Sequence, residues 1–248
     1  MNSLLQIAPT IAEYFNVRLS SPAHPVEQIL KFVRARYPIP SVVLLLVVDS
    51  LDTPLYSDFA DDLRGVHGLV EHEGLLLECE TVSNHTTPAI GSILTGLEPK
   101  AHGIFTDNDV GKSKIKSILE ILEDTGKKTA MVIETGGAKP LSDRISYVFA
   151  VDDREDIIEY DELIKAHTIA VLQKRDVRLV FSHLRAIDRF AHRDQDLRVA
   201  AKVTDGNIKE LANAVRERDG LLLICGDHEA HIKAGKRTGT VPLIVSCP

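Results

Sequence analysis

Short apolar runs alternate with longer amphipathic stretches along most of this chain. The runs lie at residues 41–48, 75–80, 129–133, 146–150, 177–182, 221–225 and 241–246, and several are apolar throughout, as in strands covered on both faces. Apolar residues at helical spacing predict helices over 55–65, 88–95, 114–126, 155–174 and 195–217. This alternation predicts an α/β fold, a three-layer α/β/α sandwich with a mostly parallel central sheet.

The first 40 residues have a different pattern. Helices are predicted over 3–16 and 25–36, with prolines between them and after the second. We therefore expect a single-domain protein in which an N-terminal helical extension, residues 1–40, packs against the domain formed by residues 41–248.

Composition narrows the class of protein. The net charge of −7 provides no basic excess for binding a nucleic-acid duplex. Three widely spaced cysteines form neither a metal-binding pair nor a disulfide framework. The N-terminus lacks the basic start and apolar core of a signal peptide, and the run at 42–48 is too short to cross a bilayer. We expect a cytoplasmic protein without a membrane partner.

Acidic residues follow two of the predicted strands. Asp49 ends the apolar run at 42–48, and Asp227 follows the run at 221–225, with His228 and His231 directly after it. The carboxyl ends of parallel strands meet along one edge of a sheet, where ligands bind in such folds. Carboxylate and imidazole groups at that edge predict a divalent metal site.

A third pair of the same residue types follows the run at 177–182. Asp188 and His192 have an i, i+4 spacing, which places both side chains on one side of a helical turn. Mixed Asp and His ligation favours zinc, manganese or iron over calcium. Each feature alone is more often a cap or a solvated face, but three of them on one sheet edge favour a metal site.

Residues 84–96 supply a possible nucleophile. The segment follows a predicted strand and opens a helix, with Pro88 suited to the first turn. A threonine hydroxyl beside a metal at a helix N-terminus can lose its proton and attack phosphorus. The alternative is that Thr86 or Thr87 merely caps the helix.

Together these residues resemble the alkaline phosphatase superfamily, particularly its type I phosphodiesterase and nucleotide pyrophosphatase branch. The resemblance runs from Asp49 to the C-terminus and rests on four blocks: Asp49; Thr86-x-Pro88 with Leu94-Thr95-Gly96 and Pro99-x-x-His102-Gly103-Ile104; Asp188-x-x-x-His192; and Gly226-Asp227-His228.

The resemblance implies an alkaline-phosphatase-like fold and two divalent ions, zinc or manganese. Asp49, Asp227 and His228 would hold one ion, with Thr86 bridging to it as the nucleophile. Asp188 and His192 would hold the other with a third, C-terminal histidine. The implied activity is a metal-dependent phosphohydrolase of the phosphodiesterase or nucleotide pyrophosphatase type, acting on a small phosphate-containing substrate through a phosphothreonine. Thr87 is the fallback nucleophile, and a threonine there disfavours sulfate esters.

The chain departs from the superfamily pattern near its C-terminus. Thr238 stands where the last metal-binding histidine is usual, so either His231 completes the second site or that site is weak or lost. In the latter case the protein would be a catalytically degraded member that binds a phosphate ligand or a protein partner with one or no metal.

The remaining predictions concern side chains around this site. Asn84, His85 and Lys236 are candidate substrate-binding residues. We expect His102 to hold a loop through hydrogen bonds, and His183 to support the metal ligands at most.

Overall fold

The computed structural model describes residues 1–36, 40–72, 74–231 and 238–248. The strands are β1 (Asn2–Ser3), β2 (Val43–Val48), β3 (Leu75–Glu80), β4 (Lys128–Glu134), β5 (Tyr147–Val151), β6 (Val177–Leu184), β7 (Leu221–Gly226) and β8 (Thr240–Ser246). The α-helices are α1 (Ile7–Tyr14), α2 (Glu27–Arg34), α3 (Thr53–Asp58), α4 (Arg64–Glu71), α5 (Thr86–Thr95), α6 (Pro99–His102), α7 (Ile118–Asp124), α8 (Thr135–Ala138), α9 (Ile157–Leu172), α10 (Ala186–His192) and α11 (Leu197–Arg216).

These strands form one sheet in the order β1-β3-β8-β7-β2-β6-β4-β5. Pairing is parallel except where β8 lies antiparallel between β3 and β7. The central strand β2 pairs in parallel with both β6 and β7. The predicted mostly parallel sheet is therefore confirmed, and every apolar run named above forms one of its strands.

Helices cover both faces of the sheet, which confirms the three-layer arrangement. Successive side chains of β2 point to opposite faces, as the period of two requires. Leu44 and Leu46 join the core beneath α3, α4, α9, α10 and α11. Val43 and Leu45 join the core beneath α1, α2, α5 and α7. Because both faces of β2 are buried, its sequence is apolar throughout.

Several predicted helices differ from the observed elements in their bounds, and the helix predicted over 114–126 spans only Ile118–Asp124. Residues 55–65 form parts of two helices, and between them the buried Asp62 accepts a hydrogen bond from Arg198 of α11 at 2.6 Å. The helix predicted over 3–16 starts later, at Ile7. Asn2 and Ser3 instead pair with the end of β3, and Ser3 caps the 3-10 turn that follows. Two residues are too few to show a strand pattern in a sequence.

Among the described residues, every helix is too short or too polar to span a bilayer.

Candidate metal and phosphoryl-transfer site

The carboxyl ends of the central strands bring Asp49 and Asp227 together. Val48 lies opposite Gly226 in the β2–β7 pair, so the two following residues, Asp49 and Asp227, emerge side by side. Both side chains are buried, with Asp49 1% and Asp227 0% exposed. The amide of Ser50 donates to Asp227 Oδ1 at 3.0 Å. This contact joins the two strand ends.

The backbone after β2 turns sharply to make this contact possible. Ser50 has a φ of 63°, in the left-handed region that only a tight turn usually requires. The turn brings the carbonyl oxygen of Leu51 against Gly226, where a Cβ would lie 2.0 Å from that oxygen. A side chain at position 226 would therefore separate Asp227 from Asp49.

His228 and Thr86 lie on the open side of this carboxylate pair. His228 Nε2 is 3.2 Å from Asp49 Oδ1, and Thr86 Oγ1 is 3.1 Å from His228 Nε2 and 3.4 Å from Asp49 Oδ1. His228 Nδ1 lies 2.9 Å from the carbonyl oxygen of Glu229 and donates its proton there. Donation from Nδ1 leaves Nε2 facing Asp49 and Thr86, as a metal ligand would.

Helix α5 carries Thr86 as its first residue. The carbonyl of His85 accepts the first hydrogen bond of the helix, from the Ala89 amide at 3.2 Å. Thr87, the fallback nucleophile, instead donates its hydroxyl proton to Asp107 Oδ1. The hydroxyl of Thr86 therefore contacts Asp49 and His228, whereas that of Thr87 contacts Asp107.

A second cluster contains Asp188, His192 and His231. Their ligand atoms all lie within 4.8 Å of one another, with His192 Nε2 3.4 Å from Asp188 Oδ1. The hydroxyl of Ser50 donates to Asp188 Oδ1 at 2.8 Å and so connects the two clusters. Helix α10 is fixed by Asp161, whose carboxylate accepts the amide protons of residues 185 and 186 at 2.8 and 3.0 Å.

Thr238, which stands where the last metal-binding histidine is usual, makes hydrogen bonds outside both clusters. Thr238 is exposed, its amide donates to Glu229 Oε1 at 2.6 Å, and its hydroxyl lies 2.9 Å from that of Thr240. The imidazole of His231 is instead part of the second cluster, and its ring centroid lies 4.9 Å from that of His192 and 5.0 Å from that of His228.

The three candidate substrate-binding residues have different positions. His85 is exposed and lines the cleft above Thr86. Asn84 is exposed but does not line that cleft. Lys236 lies outside the described residues.

Two groups in the site were not assigned a direct role from the sequence. Glu134, at the end of β4, and Arg185, directly after β6, line the cleft together with Thr86 and Asp49. Arg185 Nε lies 4.0 Å from Asp49 Oδ2 and its other end pairs with Asp153. Each of them stands at the carboxyl end of an apolar run, as Asp49 and Asp227 do, so the same sequence pattern could have identified them.

The electrostatics of the first cluster favour a cation. Burial opposes ionisation of Asp49, but the neighbouring imidazoles of His183 and His228 outweigh it and hold the Asp49 pKa below its ordinary value. Burial and the neighbouring Asp49 charge raise the pKa of Asp227 to about 6. Two buried carboxylates repel each other unless positive charge lies between them. The carboxylate and imidazole donors therefore fit a divalent ion such as zinc or manganese.

Two cavities meet at the proposed nucleophile. The polar cleft has a volume of about 470 Å³ and is lined by Asp49, Thr86 and Arg185 among others. A smaller cavity of about 100 Å³ is lined by Ile90 and Leu94 of α5 and by both apolar and charged residues, among them Met131 and Arg144. Thr86 contributes to the walls of both cavities.

The chain belongs to the type I phosphodiesterase / nucleotide pyrophosphatase family, whose model matches residues 43–231. Its fold is similar to that of a protein in the alkaline phosphatase superfamily from Vibrio parahaemolyticus, which is 12% identical with a TM-score of 0.56, over 89% of this chain and 68% of that protein. The predicted resemblance is thereby confirmed. A search of curated proteins gives no match for this chain.

Several solved structures share the fold at low sequence identity. Phosphonoacetate hydrolase from Sinorhizobium meliloti 1021 is 16% identical with a TM-score of 0.63, over 77% of this chain and 57% of that protein. The zinc complex of the C-terminal periplasmic domain of EcEptC from Escherichia coli is 14% identical with a TM-score of 0.55, over 84% and 72%. A putative sulfatase from Bacteroides thetaiotaomicron is 10% identical with a TM-score of 0.66, over 84% and 64%. The chain thus spans little more than half the length of the phosphonoacetate hydrolase.

Proposed function

We propose that this protein is a metal-dependent phosphoric ester hydrolase of the phosphodiesterase or nucleotide pyrophosphatase type, with Thr86 as its nucleophile. The observation that carries the proposal is the position of Thr86 Oγ1, 3.4 Å from Asp49 and 3.1 Å from His228 at the start of α5. Membership of the phosphodiesterase family supports it.

Two divalent ions, zinc or manganese, are part of the proposal. The first set is Asp49, Asp227 and His228, and the second is Asp188, His192 and His231. Bound ions would lower the pKa of the Thr86 hydroxyl, neutralise charge on the leaving oxygen and activate water. The zinc complex of the similar periplasmic domain agrees with this choice of metal.

The residues of the chain would act in two displacements. Thr86 Oγ attacks phosphorus, the bond to the ester oxygen breaks, and the leaving alcohol takes up a proton. Water then attacks the phosphothreonine, which releases phosphate or a phosphomonoester and restores the hydroxyl. Thr86 at the start of α5 and Arg185 line the cleft in which phosphoryl charge would build up.

The substrate assignments follow from the cleft. His85 would contact phosphoryl oxygens from the cleft wall. Asn84 and Lys236 remain candidates from the sequence, as does a cytoplasmic location. The similar phosphonoacetate hydrolase was crystallised with small phosphorus-containing acids, phosphonoacetate and phosphonoformate, and a small substrate is proposed here also.

Thr238 favours one alternative. Because this residue cannot replace an imidazole ligand, a degraded family member that binds a phosphate ligand or a protein partner, with one or no metal, is the second candidate.

Turnover of two chromogenic esters tests the proposal. Protein loaded with zinc or manganese is incubated with bis-p-nitrophenyl phosphate and p-nitrophenyl phosphate, and we expect metal-dependent release of p-nitrophenol that chelation abolishes. If metal-loaded, folded protein hydrolyses neither ester while it still binds phosphate, the degraded-member alternative replaces the enzyme.

A further inference from the structure

His183 is a buried imidazole that packing does not explain. It lies in β6 opposite Val47 of the central strand and is 1% exposed. Within the described part of the chain, neither ring nitrogen has a hydrogen-bond partner. A buried polar group without a partner is costly, so such a group in a native fold calls for a ligand or a function.

The two ring nitrogens of His183 face two different carboxylates. Nε2 lies 3.5 Å from Asp49 Oδ2, and Nδ1 lies 3.9 Å from Glu134 Oε2. In metal-binding histidines one nitrogen commonly faces the ion and the other donates to a carboxylate. Glu134 is the carboxylate on the Nδ1 side of His183, at a distance longer than a hydrogen bond.

A second orphaned atom lies beside His183. Asp227 Oδ2 is also buried without a hydrogen-bond partner among the described residues. Ligand atoms of Asp49, His183 and Asp227 all lie within 4.8 Å of one another. Ligands about 2.1 Å from a tetrahedral ion are separated by about 3.4 Å. The 3.5 Å between Asp49 Oδ2 and His183 Nε2 matches that separation.

Glu134 is held in the orientation that this arrangement needs. Its Oε1 accepts the amide proton of Gly137 at 3.1 Å and caps helix α8. The capping bond leaves Oε2 directed toward Nδ1 of His183. A Cβ at position 137 would lie 2.7 Å from Oε1, so a glycine there permits the cap.

From this geometry we infer that His183 is a further protein ligand of the first divalent ion, bound through Nε2 together with Asp49 and Asp227, and that Glu134 is its positioning residue. The inference rests on the proposed function, because it adds a ligand to the metal set given there. Three adjacent strands, β2, β6 and β7, would then each supply one buried ligand, and His228 would approach the same ion from the Thr86 side. Mixed nitrogen and oxygen ligation favours zinc, cobalt or manganese over calcium or magnesium.

Metal binding without any substrate tests this inference. Cobalt(II) is titrated into metal-free protein, and its visible absorption and stoichiometry are measured for wild type, His183→Gln, Glu134→Gln and Asp49→Asn. His167→Gln on α9 is the matched control, because His167 packs against Phe149, with ring centroids 5.3 Å apart, and belongs to none of the candidate metal-binding groups of the described residues. We expect His183→Gln to weaken the first site by about 100-fold or more and Glu134→Gln by about 10- to 100-fold, while His167→Gln leaves it unchanged.

The outcomes separate this inference from the proposed function. If Asp49→Asn loses the first cobalt ion while His183→Gln and Glu134→Gln keep wild-type affinity and absorption bands, His183 is not a ligand and the proposed metal site stands. If wild-type protein binds no cobalt, both proposals fail. Should His183→Gln not fold, Glu134→Gln still decides the question, because its amide oxygen keeps the helix cap while the charge facing Nδ1 is lost.

Discussion

Thr86 Oγ1 lies 3.1 Å from Nε2 of His228, although 142 residues separate them in the chain. One residue opens helix α5 and the other follows strand β7, and the sheet brings both elements to one edge. Because His228 Nδ1 is engaged by the Glu229 carbonyl, the hydroxyl faces an imidazole nitrogen that a metal ion can use. This contact underlies the first prediction.

Replacing the Thr86 hydroxyl is expected to abolish turnover. Thr86→Ala should lower kcat for bis-p-nitrophenyl phosphate by at least about a thousandfold, because no covalent intermediate can form. Thr87→Ala is the matched control, since the Thr87 hydroxyl donates to Asp107, and should retain most of the activity. The reverse order of effects would make Thr87 the nucleophile.

His231 is expected to determine the metal content. Elemental analysis of wild-type protein should give two ions per chain, and His231→Asn should retain one, because Asp188 and His192 alone leave the second set incomplete. The same exchange at exposed His24 should change nothing. Two ions in His231→Asn would exclude His231 as a ligand.

Gly226 is expected to tolerate no side chain. Gly226→Ala should lower the free energy of unfolding by about 3 kcal/mol, because its Cβ would lie 2.0 Å from the backbone oxygen of Leu51. Gly206→Ala in helix α11 has open space around the new methyl group and should raise stability by about 1 kcal/mol. Denaturant unfolding measures the free energy of unfolding of both variants. If Gly226→Ala is as stable as Gly206→Ala, the turn at Leu51 can move to accept the methyl group.

His102 is expected to make stability fall in mild acid. Its Nδ1 accepts the Ile104 amide proton at 3.0 Å and its Nε2 lies 3.1 Å from Ser92 Oγ, which is the loop-holding role that the sequence analysis predicted. Burial lowers the pKa of His102 below its ordinary value. As pH falls, His102 is protonated in the unfolded chain at about pH 6.5, before it is protonated in the folded protein. The contribution of His102 to the free energy of unfolding is therefore complete above about pH 6.5 and is lost as pH falls through the lower, folded-state pKa.

Denaturant midpoints measured between pH 7.5 and 5 check this prediction. His102→Gln should be less stable at pH 7.5 than wild type and lose less stability on acidification. His24→Gln is the control, because His24 is exposed. Parallel curves for wild type and His102→Gln would show that His102 does not titrate as described.

Much of the fold could be read from local pattern. Each strand run was visible because residues buried on both faces of a sheet must be apolar, as Val43 to Val48 shows. The grouping of Asp49 with Asp227 followed from the rule that parallel strands end at one edge. Helix boundaries were less well predicted, as the break between α3 and α4 within residues 55–65 shows.

The sequence by itself determined the strands of the sheet, the edge at which the site lies and the residue types that suit a metal. It could do so because the hydrophobic periodicity of a strand and the polar residues that follow it are local properties. Only the tertiary structure decided which side chains meet. It aimed Thr86 rather than Thr87 at the site, set Asp49 between His183 and His228, and placed His231 beside His192. Those contacts depend on strand order, on register and on the left-handed turn at Ser50, and none of these leaves a signal in a single sequence.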